Sequence, residues 1–317
     1  MNDQSTDSPR PEPAARGLQG KRPGSGLPDV LLIGAAKAGT TALVAYLRRH
    51  PGVCVSDVKE PEFFSHDEQF ARGLDHYRSL FSHARPGQVC LEASTSYTRW
   101  PEYPQAAPRI AEALPRARFI YILRHPVERA WSHYVHRVTK ELYRDQPVPA
   151  TFEAHIERDP VCLNSSRYMD QLAQYLPYYD RGSFLVLFND DLAGDTAATL
   201  STVCRFLGVE DLGEQLARVD TSWYRNARSV DGKVRDRVMA PLKANPLLRA
   251  AGRCVPQAGR DAIYRLMRRT AHGRRVARAF TPAPMLAETR LRLIDHFKPH
   301  NDRLAAFLKV DLSHWNE

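Results

Sequence analysis

Residues 29–41, DVLLIGAAKAGTT, constrain the fold of this chain more than any other stretch. Asp29–Gly34 is a short, continuous apolar run, as expected for a strand buried on both faces of a parallel sheet. The segment that follows, TALVAYLRRH, places Leu43 and Leu47 one helical turn apart, and His50-Pro51-Gly52 ends the helix. Between strand and helix lies Gly34-Ala35-Ala36-Lys37-Ala38-Gly39-Thr40-Thr41. Its small residues let backbone N–H groups approach an anion closely, and the helix N-terminus behind them adds a favourable dipole. The pattern of strand, glycine loop and helix predicts an anion cradle; a tight turn before a buried helix is the plainer alternative.

The same alternation continues. Gln88–Glu92 and Arg118–Leu123 read as further strands, the latter running straight into Arg124-His125-Pro126. Pro126 suits the first turn of a helix continuing through about Lys140. Phe184–Phe188 is a fourth strand, and Asn189 or Asp190 can cap a helix running to about Leu207 and ended by Gly208. The last fifty residues read as polar-faced helices. Strands alternating with helices predict an α/β fold, a parallel sheet flanked by helices.

At 317 residues and 43% hydrophobic, the chain can bury a sizeable core. No stretch approaches the roughly 18 apolar residues of a membrane span, so no stable membrane insertion is expected. Residues 1–27 are rich in Pro, Gly and Ser and read as a disordered tail, not a secretory signal, leaving 28–317 as the folded domain. A cytoplasmic protein is the expectation. Cys54, Cys90, Cys162, Cys204 and Cys254 are scattered and form no C-x-x-C pair, which predicts buried free thiols over disulfides or a zinc site. The net charge of +9 is concentrated in residues 231–280, which carry 13 Lys or Arg against 3 Asp. Such a segment suits an anionic partner; by composition alone a solvated helical face explains it better.

The glycine loop departs from the nucleoside-triphosphate pattern G-x-x-x-x-G-K-[ST]. Thr40 stands where the phosphate-reaching lysine belongs, and Lys37 occurs inside the loop instead. The cradle therefore suits a short anion, such as one phosphate carrying one sulfate. No strand-ending Asp offers itself to Mg²⁺, and no metal is expected. Arg124, at the end of a strand, sits where ligands of α/β sheets bind, and its guanidinium can grip a second phosphate.

On these residues the chain resembles the sulfotransferases that use 3′-phosphoadenosine-5′-phosphosulfate (PAPS). K-x-G-T-T after an apolar strand is similar to their 5′-phosphosulfate loop, which implies that Lys37, Ala38, Gly39, Thr40 and Thr41 wrap the 5′-phosphate and sulfate. Arg124 followed eight residues later by Ser132 matches the family's 3′-phosphate motif. Lys59-Glu60-Pro61-Glu62-Phe63-Phe64 resembles the E-x-x-F-F segment of the carbohydrate branch related to the heparan sulfate enzymes. The resemblance gives Glu60 the role of general base, with Glu62 assisting or orienting. The residues alone favour the plainer alternative, a solvent-exposed Glu-Pro-Glu turn with Phe63 and Phe64 as core anchors, and it is the resemblance that points to Glu60 as base. Ala42 after the threonines and the lack of an R-K-G motif separate the chain from the cytosolic aryl and steroid branch.

The resemblance runs from Leu27 to Glu317, includes Leu91–Tyr97 (LEASTSY), and implies a P-loop-like sulfotransferase fold. It departs in lacking a membrane anchor and a late disulfide loop. Ala93 replaces a lysine that contacts anionic polysaccharide in heparan-type members, which counts against a heparan-like acceptor. Asn226–Arg237 stands where the family makes late nucleotide contacts, with Lys233 and Arg235 as candidates. The implied reaction is in-line transfer from PAPS to an acceptor hydroxyl on a sugar, lipid or secondary metabolite. Glu60 would take the proton, Lys37 would offset charge on the leaving oxygen, and the basic 231–280 segment would form a lid. Two rivals are a P-loop small-molecule kinase, opposed by Thr40, and a basic nucleic-acid or membrane-surface binder using 231–280. No nucleic-acid partner is expected, and the oligomeric state is open.

Overall fold

The computed structural model describes residues 26–141, 151–219, 234–235, 238–246, 255–280 and 282–317. Five strands form one parallel sheet: β1 (Val30–Gly34), β2 (Val53–Val55), β3 (Val89–Ala93), β4 (Arg118–Leu123) and β5 (Phe184–Phe188), in the order β2-β3-β1-β4-β5. β1 and β3 are buried along their whole length, because helices cover both faces of a sheet built from parallel crossovers. This is the predicted α/β architecture. β2 is a strand that periodicity missed, since three residues carry no pattern; it exists because Val53, Cys54 and Val55 pair with Val89, Cys90 and Leu91.

Two compact units emerge. The first takes in the described residues up to Ala130, with Val161–Val219 and Arg290–Glu317; it holds the whole sheet and the main core. Phe119 in the sheet stacks on Phe184 at 4.8 Å and meets Tyr175 and Tyr179 edge-on. Helix Pro126–Glu141 begins at Pro126 as expected. The helix predicted to run unbroken from 189 to 207 is two helices, Asn189–Gly194 and Thr196–Leu207. The break is at Asp195, whose carboxylate accepts from the Ala198 N–H at 2.9 Å and caps the second helix. Gly208 ends it in the left-handed conformation, φ 70°, as predicted. Cys54, Cys90, Cys162 and Cys204 are buried thiols outside any disulfide; Cys254 lies outside the described residues.

The second unit comprises Trp131–Pro160 and the described residues from 234 to Thr289. Trp131, Tyr134 and Phe152 pack ring to ring between helix Pro126–Glu141 and helix Phe152–Arg158. Beside them Asp159 faces His133 and His155. Burial would raise the Asp159 carboxyl, but His133, His155 and Arg137 outweigh it and bring the group down to about 2. Burial lowers the His155 imidazole. In the basic segment, helices Gln257–Arg268 and Ala271–Phe280 set Val276, Tyr264 and Met267 against Val234 and Val238. Among the described residues no helix is long and apolar enough to cross a membrane.

Candidate functional site

The register of the sheet lines up the carboxyl ends of its strands, and the order reverses direction on either side of β1. That crevice is where ligands of open α/β sheets bind. Chain segments leave the sheet at that end after all five strands, and the one after β2 carries Glu60.

After β1, Gly34 leads into the glycine loop. A side chain at Gly34 would come within 2.2 Å of Thr98 Oγ1, which donates to the Ile33 carbonyl at 2.7 Å. With φ at +151°, this position requires glycine. Lys37 takes a left-handed φ of 76°, which costs a non-glycine residue on the order of 1–3 kcal/mol. Gly39 caps helix Thr40–Leu47 with φ 107°. Thr40 and Thr41 form the first turn of that helix, the end at which helix N–H groups and the dipole favour an anion.

Arg124 follows β4. Its Nη1 donates to the Lys37 carbonyl at 3.4 Å, so the glycine loop and the strand-end arginine meet. Its own backbone is fixed by Tyr168, whose hydroxyl donates to the Arg124 carbonyl at 2.6 Å. After β5, Asn189 Nδ2 donates to the Ala38 carbonyl at 2.9 Å. Asn189 thus clamps the loop in place of capping a helix, the second way in which this segment differs from the sequence reading. Ser132 lies in the second turn of helix Pro126–Glu141, half-buried and in the second unit.

The segment carrying Glu60 is fastened to the end of β3. The Glu60 N–H donates to the Ala93 carbonyl at 2.9 Å, and the Glu62 N–H to Ser94 Oγ at 3.0 Å. Ser65 and Ser96 share a hydroxyl hydrogen bond of 2.7 Å. Phe63 and Phe64 are buried; Phe63 stacks on Tyr77 at 4.4 Å, so the pair anchors the turn as the plainer reading expected. Yet the carboxylates between these anchors hold left-handed backbone, φ 58° at Glu60 and 54° at Glu62. Two such residues so close together persist only where the surroundings over-determine them. Glu60 is half-buried with Lys59 Nζ on its Oε1, whereas Glu62 leans toward His66 at 3.8 Å.

Sequence reasoning missed Glu92, which is fully buried in β3. Its Oε2 accepts from the Tyr97 hydroxyl at 2.7 Å and from Tyr77 at 2.9 Å. Burial pushes its carboxyl up to about 7, more than the hydroxyl donors can offset, and the charge of Glu60 adds to the rise. The only signal in the sequence is an acid inside an apolar strand. From its ordinary value of 4.5 the unfolded chain loses this proton well before the folded one does. The associated stability is complete below about pH 4.5 and is lost as pH rises through about 7. The melting temperature should therefore fall more steeply between those values in the parent chain than in Glu92→Gln. Parallel slopes in thermal scans at stepped pH would remove Glu92 as the cause.

Of the late candidates, Arg235 pairs with Asp261 at 2.6 Å and lies over the Tyr264 ring, both within the second unit; Lys233 lies outside the described residues.

A family model described as "Sulfotransferase domain" matches residues 27–236. Human heparan sulfate glucosamine 3-O-sulfotransferase 6 is 31% identical over 246 residues, covering 73% of this chain and 66% of the relative. The bifunctional heparan sulfate N-deacetylase/N-sulfotransferase 1 of Caenorhabditis briggsae is 26% identical over 226 residues, 65% of this chain and 26% of that protein. The chain thus spans about two thirds of the length of the first relative and about a quarter of the second. The crystal structure of a sulfotransferase from Alicyclobacillus acidocaldarius superposes with a TM-score of 0.60 at 25% identity, over 92% of this chain and 99% of that one.

Proposed function

The chain belongs to the sulfotransferase domain family, and on that premise we propose that it moves a sulfuryl group from PAPS to a carbohydrate or small-molecule hydroxyl, with Glu60 as the base. The observation that carries the reading is the meeting of Arg124 Nη1 with the Lys37 carbonyl, 3.4 Å apart. It joins the glycine loop that follows β1 to the arginine at the end of β4, which supports a reading in which one nucleotide, with phosphates at both its 3′ and 5′ positions, spans the two. Residues 37–41 would enclose the 5′-phosphosulfate through backbone N–H groups, and Arg124 with Ser132 would hold the 3′-phosphate.

In the transfer, the acceptor oxygen forms a bond to sulfur as the bond from sulfur to the bridging phosphate oxygen breaks. Glu60 takes the acceptor proton, and the Lys37 ammonium offsets the charge that builds on the bridging oxygen. Most of the rate enhancement is then positioning and electrostatics, as in phosphoryl transfer. Glu60 is suited to the role because its backbone is pinned to β3 while its carboxylate is half-exposed. Glu62 is turned toward His66 and suits an orienting role. A carbohydrate acceptor draws support from the heparan sulfate relatives; Ala93 argues for one less anionic than a heparan chain.

Binding of 3′-phosphoadenosine-5′-phosphate without added metal tests the reading. At about a hundred times its dissociation constant a ligand adds roughly 2.7 kcal/mol of stability, a clear melting shift. Arg124→Ala should weaken the bisphosphate by about 10- to 150-fold, the worth of a charge-assisted contact, and weaken adenosine 5′-phosphosulfate much less. A shift with ATP–Mg²⁺ and none with the bisphosphate would favour a kinase and overturn the proposal.

A further inference from the structure

The second unit contains a cluster that sulfuryl transfer does not use. His133 belongs to helix Pro126–Glu141, His155 to helix Phe152–Arg158, and Asp159 closes the latter helix. His155 and Asp159 are four residues apart and share a helix face, while His133 comes from the facing helix. The two imidazoles are among the most enclosed polar side chains of the unit, with 9% and 4% of their side-chain surface exposed.

Both Nε2 atoms stand 3.6 Å from the same atom, Asp159 Oδ2. That is outside hydrogen-bond range. His155 Nε2 is buried without a hydrogen-bond partner, a costly state for a polar atom unless something else engages it. Each of the three residues offers one ligand atom, a ring nitrogen or a carboxylate oxygen, within 4.8 Å of the other two. At bond lengths of about 2.0–2.1 Å, ligand atoms of a tetrahedral site are separated by about 3.4 Å and those of an octahedral site by about 3.0 Å. The two 3.6 Å edges match the tetrahedral case.

We propose that His133 Nε2, His155 Nε2 and Asp159 Oδ2 bind one zinc ion, with water as the fourth ligand. Two neutral imidazoles and one carboxylate form a donor set of the borderline type that zinc favours over calcium or magnesium. The ion would bridge the helices on either side of residues 142–150. Its effect there would be to hold the two helices together, and none of its ligands is among the residues given a part in sulfuryl transfer. Arg137 lies within electrostatic reach of Asp159 and His155. It supplies the opposing arrangement, in which Asp159 is simply an anion shared among Arg137 and the two imidazoles.

Elemental analysis of untagged protein, purified without chelator and desalted, distinguishes the two. The proposal expects about one zinc per chain, a lower melting temperature after chelation, and recovery on adding zinc back. Cobalt in the stripped protein should give the visible absorption of a tetrahedral site. His155→Ala should weaken zinc by about 100-fold or more, beyond the 10- to 100-fold seen for groups that only orient a ligand. Asp159→Asn, which preserves shape, should do likewise. Should the parent chain purify without metal and show no melting shift in excess zinc, the cluster is an ion-paired anion and the proposal fails. It fails equally if His155→Ala and Asp159→Asn both fold and bind zinc as tightly as the parent, since the ion would then sit elsewhere.

Discussion

Glu60→Gln should lower turnover by about 10²- to 10⁴-fold, the range for a lost general base, with little change in donor affinity. Glutamine preserves size and hydrogen-bonding reach and leaves the bond from the residue 60 N–H to the Ala93 carbonyl in place, so the turn should persist. What it removes is an atom able to take the acceptor's proton. Single-turnover rates beside equilibrium binding of the bisphosphate separate the two effects. Glu62→Gln is the control: Glu62 sits against His66, and its loss should be milder. Near-normal turnover in Glu60→Gln with a collapse in Glu62→Gln would move the base to the second carboxylate. Full activity in both would make the turn purely structural. Lys59 bears on the same experiment, because its ammonium is on Glu60 Oε1. Acceptor binding has to displace or reorient that contact before Glu60 can accept a proton there.

Lys37→Met should lower kcat by about 10²- to 10³-fold, the cost of removing one group aimed at charge developing in the transition state. Methionine keeps the unbranched stem and, like lysine, is a non-glycine residue at φ 76°, so the substitution adds no backbone strain of its own. The hydrogen bond that Arg124 makes is to the residue 37 carbonyl, not to its ammonium, and survives the change. Bisphosphate affinity should therefore fall much less than kcat, because the ammonium acts on a charge that is largest as the sulfuryl group leaves. An equal loss in binding and turnover would make Lys37 a ground-state phosphate ligand alone. Unchanged turnover would remove it from the chemistry.

Much of this architecture was legible in local residue order. Arg118–Leu123 and Phe184–Phe188 are continuous apolar runs, and each became a strand with the expected bounds. The strand, loop and helix around Gly34–Thr41 appeared as read, because glycine spacing and helix phase act over a few residues. β2 was illegible because three residues of strand are stabilised by the partner they pair with. The break at Asp195 was missed for a different reason. Asn189 and Asp190 looked like caps, but Asn189 hydrogen-bonds a carbonyl 151 residues away in sequence, leaving Asp195 to start the second helix.

By its sequence alone this chain determined an α/β fold, its glycine loop, and the residue types available at each strand end. Those properties follow from short-range sterics and from burial patterns that repeat within one element. Only the tertiary structure decided which of them meet. Arg124 reaches the Lys37 carbonyl because β4 lies beside β1, and Glu60 is held because its turn docks on the end of β3. Glu92 gained its raised pKa from burial, which outweighs the hydroxyl donors Tyr97 and Tyr77, and the His133–His155–Asp159 cluster arose from the packing of two helices. Desolvation and convergence of side chains are properties of packing between distant segments, and no local pattern encodes them.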